Sequence, residues 1–317
     1  MANAIGTILV PVDGSEHASA AARYGERLAL AIGARMELLH VFEDTPGMLM
    51  QRMGYTGGQA VADRVSIEAF DRMREESARL AFQQTRVALQ GGVEVIDRVL
   101  SGDPADAVAH YAHGVDAPVI VMGRRGVGEI WELLVGSVTE GVIHRTEYPV
   151  TVVTYGAEQQ ADAGGGSVLV VPVDDSEQSL VAARHANTVA KATGASVHLL
   201  HVFPGSPQEI YAGSGERAGE LQEADAFSDE RFKEVARTSA DKAFARARAQ
   251  FDVDAVALEE VRRPGKPAQV IISYARATPG AEVIMARHGH GRIREFLLGS
   301  ISQRVLHAAH CPVTVVH

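Results

Sequence analysis

A motif that occurs twice constrains this chain more than any other feature. Ile8-Leu9-Val10-Pro11-Val12-Asp13-Gly14-Ser15-Glu16 returns 161 residues later as Leu169-Val170-Val171-Pro172-Val173-Asp174-Asp175-Ser176-Glu177. Leu38-Leu39-His40-Val41-Phe42 returns as Leu199-Leu200-His201-Val202-Phe203. Gly102-Asp103-Pro104-Ala105 returns as Gly265-Lys266-Pro267-Ala268, and Tyr148-Pro149-Val150-Thr151-Val152-Val153 as Cys311-Pro312-Val313-Thr314-Val315-Val316. A period of about 160 residues is the size of a domain, not of a solenoid repeat. The 317 residues therefore read as a duplication. We expect a domain over residues 1–156, a linker rich in Gly, Ala and Gln over 157–166, and a second domain over 167–317.

Each half alternates strands and helices. Thr7–Val12 is a short apolar run, expected to be a strand buried on both faces. Ser15 is placed to cap a helix that Gly33 ends. Met36–Phe42 is the second strand. Phe70, Met73, Ser77, Leu80, Gln84 and Val87 recur at helical spacing, which predicts an amphipathic helix over Ile67–Gln90. Val93–Leu100, Val119–Met122 and Val150–Val153 supply three more strands. Helices fall between them, one opened by Pro104 and one over Ser137–Thr146. Strict alternation implies a mostly parallel, doubly wound α/β sheet with helices on both faces.

Charge excludes several function classes. The net charge of −10 argues against nucleic acid as the main partner, because phosphate backbones call for clustered cations. Lysines occur only at 191, 233, 242 and 266. Gly265-Lys266 is the one Gly-Lys pair, Pro267 follows it, and Glu260 stands where a Walker A loop needs its first glycine. No apolar run reaches the roughly 18 residues that span a bilayer, and no secretory signal is visible, so a cytoplasmic protein with no membrane partner is expected. The single cysteine, Cys311, excludes an intrachain disulfide and is read as packing. No His, Cys or carboxylate cluster has metal-ligand spacing; His288-x-His290 comes nearest.

In a doubly wound sheet, ligands bind beyond the carboxyl ends of the strands where the winding reverses. Asp13 ends strand one. Gly123-Arg124-Arg125-Gly126-Val127-Gly128 follows strand four, and Gly136-Ser137 opens the next helix. Glycines permit close backbone approach, and free N–H groups of such a loop and of a helix start attract anions. A phosphate chain can be held this way without lysine, with Arg124 and Arg125 adding charge. Blander readings stand beside these. Asp13 and Asp174 can simply cap their own turns. Ser137-x-x-Glu140 and Ser300-x-x-Gln303 read as capping boxes. His40 and His201, set in apolar strands, read as structural.

The spacing G-2x-G-9x-G-[ST], with Val10-Pro11-Val12-Asp13, Leu39-His40-Val41 and Tyr148-Pro149-Val150-Thr151-Val152-Val153, closely resembles the universal stress protein family. The resemblance covers nearly the whole chain as two tandem domains. It implies a five-stranded parallel sheet in order 3-2-1-4-5 and, in many members, an ATP site. It maps adenine-side contacts onto Pro11, Asp13, Val41 and Met122. Backbone around Gly123 and Gly126 would meet ribose and phosphates, with Arg124, Arg125 and Gly128 in the same loop. Gly136, Ser137 and Val138 would cradle the phosphate tail. The matching residues of the second copy are Pro172, Asp174, Val202, Gly289, Gly299 and Ser300. The second copy departs at Ala286, whose methyl can clash with a ribose or force another backbone conformation. The resemblance further implies pairing of the two domains through their fifth strands, and leaves a homodimer open. The expected function is ATP binding, with Mg2+ as an option, in a regulatory or stress-response role with little or no turnover. A ligand-free interaction module or a weak ATPase is the alternative.

Overall fold

The computed structural model describes residues 5–52, 66–125, 135–156, 167–206, 229–287 and 298–317. The chain divides into two compact units, Met1–Gln159 and Gln160–His317. In the first unit the strands are β1 (Thr7–Pro11), β2 (Arg35–Phe42), β3 (Val95–Ser101), β4 (Pro118–Gly123) and β5 (Val150–Val153). They lie in the order β3-β2-β1-β4-β5, and each pairs in parallel with its neighbours. Ile8, Leu9 and Val10 of β1 are fully buried, because helices cover both faces of the central strand. Edge strand β3 is half-exposed along its length. The strand boundaries differ from the sequence expectation by a residue or two, the usual uncertainty of an end.

The helices of this unit are α1 (Glu16–Ile32), α2 (Pro46–Arg52), α3 (Ile67–Val87), α4 (Pro104–His113) and α5 (Ser137–Arg145). Ser15 caps α1 by accepting from Ala18 N–H, and Gly33 ends it in the left-handed region at φ 70°. Alanines at 18, 20, 21 and 22 are buried, which lets α1 lie close on β4 and β1. The inner face of α3 is not the one expected. Phe70 is buried, but so are Ala78, Ala81, Phe82 and Thr85, while Met73, Leu80 and Val87 are 44, 42 and 84% exposed. Small alanines permit a close approach to β2 and α1, and that contact turns Phe82 inward and the larger aliphatics outward.

The second unit repeats the plan. Its strands are β6 (Val168–Pro172), β7 (Ser196–Phe203), β8 (Leu258–Pro264), β9 (Ala281–Ala286) and β10 (Val313–Val316), in the order β8-β7-β6-β9-β10. Its helices are α6 (Glu177–Thr193), α7 (Asp229–Arg248), α8 (Pro267–Ala277) and α9 (Ser300–Ala308). Ser176 caps α6 and Gly194 ends it at φ 72°, as Ser15 and Gly33 do for α1. Each unit is thus a five-stranded, doubly wound α/β sheet in order 3-2-1-4-5. No helix among the described residues is long and apolar enough to cross a membrane. The expected linker, 157–166, lies outside the described residues.

Candidate functional site

The parallel register sets the floor of the site. Thr7 stands opposite Arg35 on one side and Pro118 on the other, so Pro11, Val41, Met122 and Gly123 all reach the same carboxyl edge. This is the edge between β1 and β4 where the winding reverses. Asp13 lies just beyond β1 and is exposed; its Oδ1 accepts from Ser15 N–H at 3.0 Å. Gly14 follows at φ 82°, a conformation natural to glycine. Asp13 therefore shapes its own turn while presenting a carboxylate to the rim. Asp174 does the same through Ser176 N–H, at 3.1 Å, and also takes the Ser176 hydroxyl.

His40 and His201 tie strand two to strand one. His40 Nδ1–H donates to the Val12 carbonyl at 2.9 Å, and its Nε2 accepts from the Ser77 hydroxyl at 3.0 Å. His201 Nδ1–H donates to the Val173 carbonyl at 2.9 Å. Both are structural, holding the residue just before each rim aspartate.

Beyond β4, a set of bonds stitches the two ends of the glycine segment together. Arg124 N–H donates to Val153 O at 2.9 Å, and Gly136 N–H donates to Arg124 O at 2.8 Å. Thr139 Oγ1 donates to the Gly123 carbonyl at 3.0 Å. The second unit matches this with Arg287 N–H to Val316 O, Gly299 N–H to Arg287 O and Ser302 Oγ to Ala286 O. The start of α5 is thereby fixed at the end of β4. Gly126, Gly128 and Gly289 lie outside the described residues, as do His288 and His290.

Two expectations change at this point. Ser137 is not the N-cap of α5, and Ser300 is not that of α9. Gly136 and Gly299 hold the extended cap conformation, and their carbonyls accept the first helical bonds, from Glu140 N–H at 3.0 Å and Gln303 N–H at 2.9 Å. The capping-box pattern fits the residue types, but the helix starts one residue earlier. Gly123 also has a different reason to be glycine. A Cβ there would lie 2.6 Å from the backbone oxygen of His17, so the first turn of α1 rests on it. Ala286 in the second unit is a change in helix-to-strand packing before it is a change toward any ligand.

Gly136 shows the opposite balance. Its φ of −66° suits any residue, and among the described residues a Cβ would meet only ordinary contacts at 3.5 Å, from Arg124 O and Arg125 Cα. The packing of the described residues does not require a glycine there. Ser137 and Val138 follow in the first turn, where N–H groups precede the first helical bond. Arg124 is 5% exposed and donates to the Thr154 hydroxyl at 3.4 Å; Arg287 is 8% exposed and lies 3.3 Å from His317 Nδ1. These arginines sit inside the fold, and burial pushes the Arg287 guanidinium below its ordinary value. Arg125 is half-buried.

Sequence reasoning missed His17 and Tyr155. Their rings meet edge-on, with centroids 5.8 Å apart. His17 stands directly after the repeated motif, but the second copy has Gln178 there, so the repeat comparison gave it no weight. No group of three or more His, Cys, Asp or Glu is placed to hold a metal among the described residues.

The universal stress protein family model matches residues 4–154 and again 167–317. The chain belongs to the universal stress protein family. A universal stress protein of Mycolicibacterium smegmatis is 27% identical over 315 residues, covering 98% of this chain and 96% of its own. One of Thermus aquaticus is 33% identical over 147 residues, 46% of this chain and 97% of its own. A crystal structure of a universal stress protein from Archaeoglobus fulgidus superposes with a TM-score of 0.61 at 20% identity, covering 98% of this chain and 97% of that one. The tandem universal stress protein architecture therefore extends over the full length.

Proposed function

We propose that the chain is an adenine-nucleotide-binding universal stress protein whose first unit holds ATP, with Mg2+ carried on the phosphates. The observation that carries this is Gly136. Among the described residues, space for a side chain is left open at the start of a helix, beside N–H groups of Ser137 and Val138, at the switch-point edge of the sheet. An anion that approaches the backbone supplies the reason. Pro11, Asp13, Val41 and Met122 line the nucleoside end, and Gly123 with Arg125 leads to the phosphate end.

The role is binding and regulation rather than turnover. Hydrolysis needs a base or a positioned water and charge stabilisation at the γ-phosphate. The Asp13 carboxylate serves its own turn at the nucleoside end. In the second unit Pro172, Asp174, Val202, Gly299 and Ser300 form the corresponding rim, and weaker occupancy is proposed there.

The test is isothermal titration of the full chain with MgATP, comparing wild type with Gly136→Ser. Serine is as good a helix cap as glycine or better, by about a few tenths of a kcal/mol, so the fold keeps its stability. Its side chain also fills the cradle and takes a first-turn N–H. At least a tenfold loss of affinity is expected, with steady-state phosphate release remaining negligible. Unchanged affinity in the folded variant rejects the site.

A further inference from the structure

Helix α1 begins on top of the candidate site, through His17. A Cβ on Gly123 would lie 2.6 Å from His17 O and 2.9 Å from His17 Cβ. The first turn is therefore seated on the end of β4. The imidazole then lies against Tyr155, which follows β5. Charges face it from two sides. Asp13 and Glu16 act from its own turn, Arg125 and Arg124 from the segment that leaves β4. Its Nδ1 is buried and has no hydrogen-bond partner among the described residues. Buried ring nitrogens are normally satisfied, so an open one beside a binding edge has functional meaning.

We propose that His17 is a positioning residue of the nucleotide site, coupling phosphate binding to proton uptake. The proposal rests on the reading of the first unit as the nucleotide site. Burial, and then the Arg125 charge, hold the imidazole below the usual histidine value, against the pull of Asp13 and Glu16. It is neutral at pH 7 in the free protein. Phosphates bound beside Arg125 offset that arginine's charge and add negative charge of their own. Both effects favour the imidazolium. Linkage then requires that the imidazolium favour the phosphates by the same factor. The affinity gain due to His17 is absent at pH 8. It grows as the pH falls through the imidazole's value in the complex, and levels off below its value in the free protein. Adenosine, which lacks phosphate, carries no such gain.

The experiment uses the full chain and His17→Gln. Glutamine is the residue of the second copy at this position, Gln178, so it suits the start of such a helix. ATP and adenosine are titrated at pH 8, 6.5 and 5.5, and the wild-type-to-variant affinity ratio is taken at each pH, which cancels protonation of the nucleotide itself. For ATP the ratio should be near one at pH 8 and rise as the pH falls to 5.5, by up to about tenfold for a bound-state shift of about one unit. For adenosine it should stay flat. The His17 ring signals, assigned by their loss in His17→Gln, should titrate at higher pH with ATP present. ATP binding with a flat ratio and an unmoved His17 titration overturns the coupling alone. No ATP binding by wild type at any of the three pH values overturns the site reading, and the coupling with it.

Discussion

The two units share one backbone plan and arrange their charges differently. In the first, the buried carboxylate of Glu37 on β2 accepts from Tyr111 Oη at 2.6 Å and meets Arg98 of β3 at 3.3 Å. In the second, His198 and Tyr274 stand at the positions of Glu37 and Tyr111, and the edge-strand partner is Glu259, opposite His198 on β8, because the counterpart of Arg98 is Val261. His198 Nδ1 lies 2.8 Å from Tyr274 Oη, and its Nε2 lies 3.4 Å from Glu259. The acid moves from the inner strand to the edge strand, the base moves the other way, and the tyrosine stays. Burial together with the facing carboxylates, Glu37 and Glu259, pushes both tyrosines above their usual value. At the rim the second unit gains charge. Gly14 and Gln84 of the first unit become Asp175 and Arg246, and Leu80 becomes Lys242. Arg246 and Lys242 both bond Asp175, which ties α7 to the turn that bears Asp174. The fold keeps a polar partner for the tyrosine in each unit but does not fix which strand carries the acid. After the duplication, the units kept their geometry and redistributed their charges.

This comparison can be broken at several points. The largest effect is expected at Gly123→Ala, about 3 kcal/mol or more, because the new methyl meets backbone that cannot rotate away. The reverse change in the second unit, Ala286→Gly, should cost about 1 kcal/mol. Hydrogen exchange of the β4 and β9 amides measures both. Equal costs would mean that the seat of α1 on β4 does not explain the glycine.

Next comes the long-range clasp of each first helix. Both Glu26 oxygens accept from backbone N–H groups, of Gln90 at 2.8 Å and Gly91 at 2.7 Å, whereas Asn187 accepts one, from Asp252 at 3.1 Å. Glu26→Ala leaves two donors without a partner and should cost about 2–3 kcal/mol; Asn187→Ala should cost about 1. Denaturant unfolding followed separately in each unit by exchange gives the ranking.

A pH-dependent difference follows. The position of Tyr24 is His185 in the second unit, and burial lowers that imidazole to about 4. The folded form resists the proton that the unfolded chain accepts near 6.5, so this stability is present above pH 6.5 and is lost as pH falls toward 4. At pH 5 the loss is about 2 kcal/mol. His185→Tyr should remove that slope from the second unit, while the first unit's profile stays as it was. A slope that survives the substitution assigns it to another group. The smallest effect is expected from Lys242→Met at the exposed rim clamp. It should give a slight fall in the second unit's unfolding midpoint that vanishes in high salt, since exposed pairs are screened.

Much of this was legible in the sequence, for physical reasons. Short, β-branched apolar runs such as Ile8-Leu9-Val10, stopped by Pro11, favour strands covered on both faces, and Ser15 with Gly33 marks both ends of α1 by local chemistry. The illegible parts depend on tertiary contact. Which face of α3 turns inward depends on how closely Ala78 and Ala81 approach their neighbours. Gly123 carries the loop signature, yet its tightest neighbour is a helix more than a hundred residues earlier in the chain. Ser137 satisfies a pattern of residue types, but only the backbone path shows that Gly136 starts the helix. His17 has no counterpart in the other copy, so a search for repeats passes over it.

The bonds that join Arg124, Gly136, Thr139 and the end of β5 have a consequence for how such a protein diversifies. They join the end of β4, the start of α5 and the end of β5 through backbone bonds and one threonine hydroxyl, so these anchors make little demand on side-chain identity. Sequence can change around such a junction while the sheet below keeps its register. Two copies in one chain provide two such junctions, each free to follow its own chemistry.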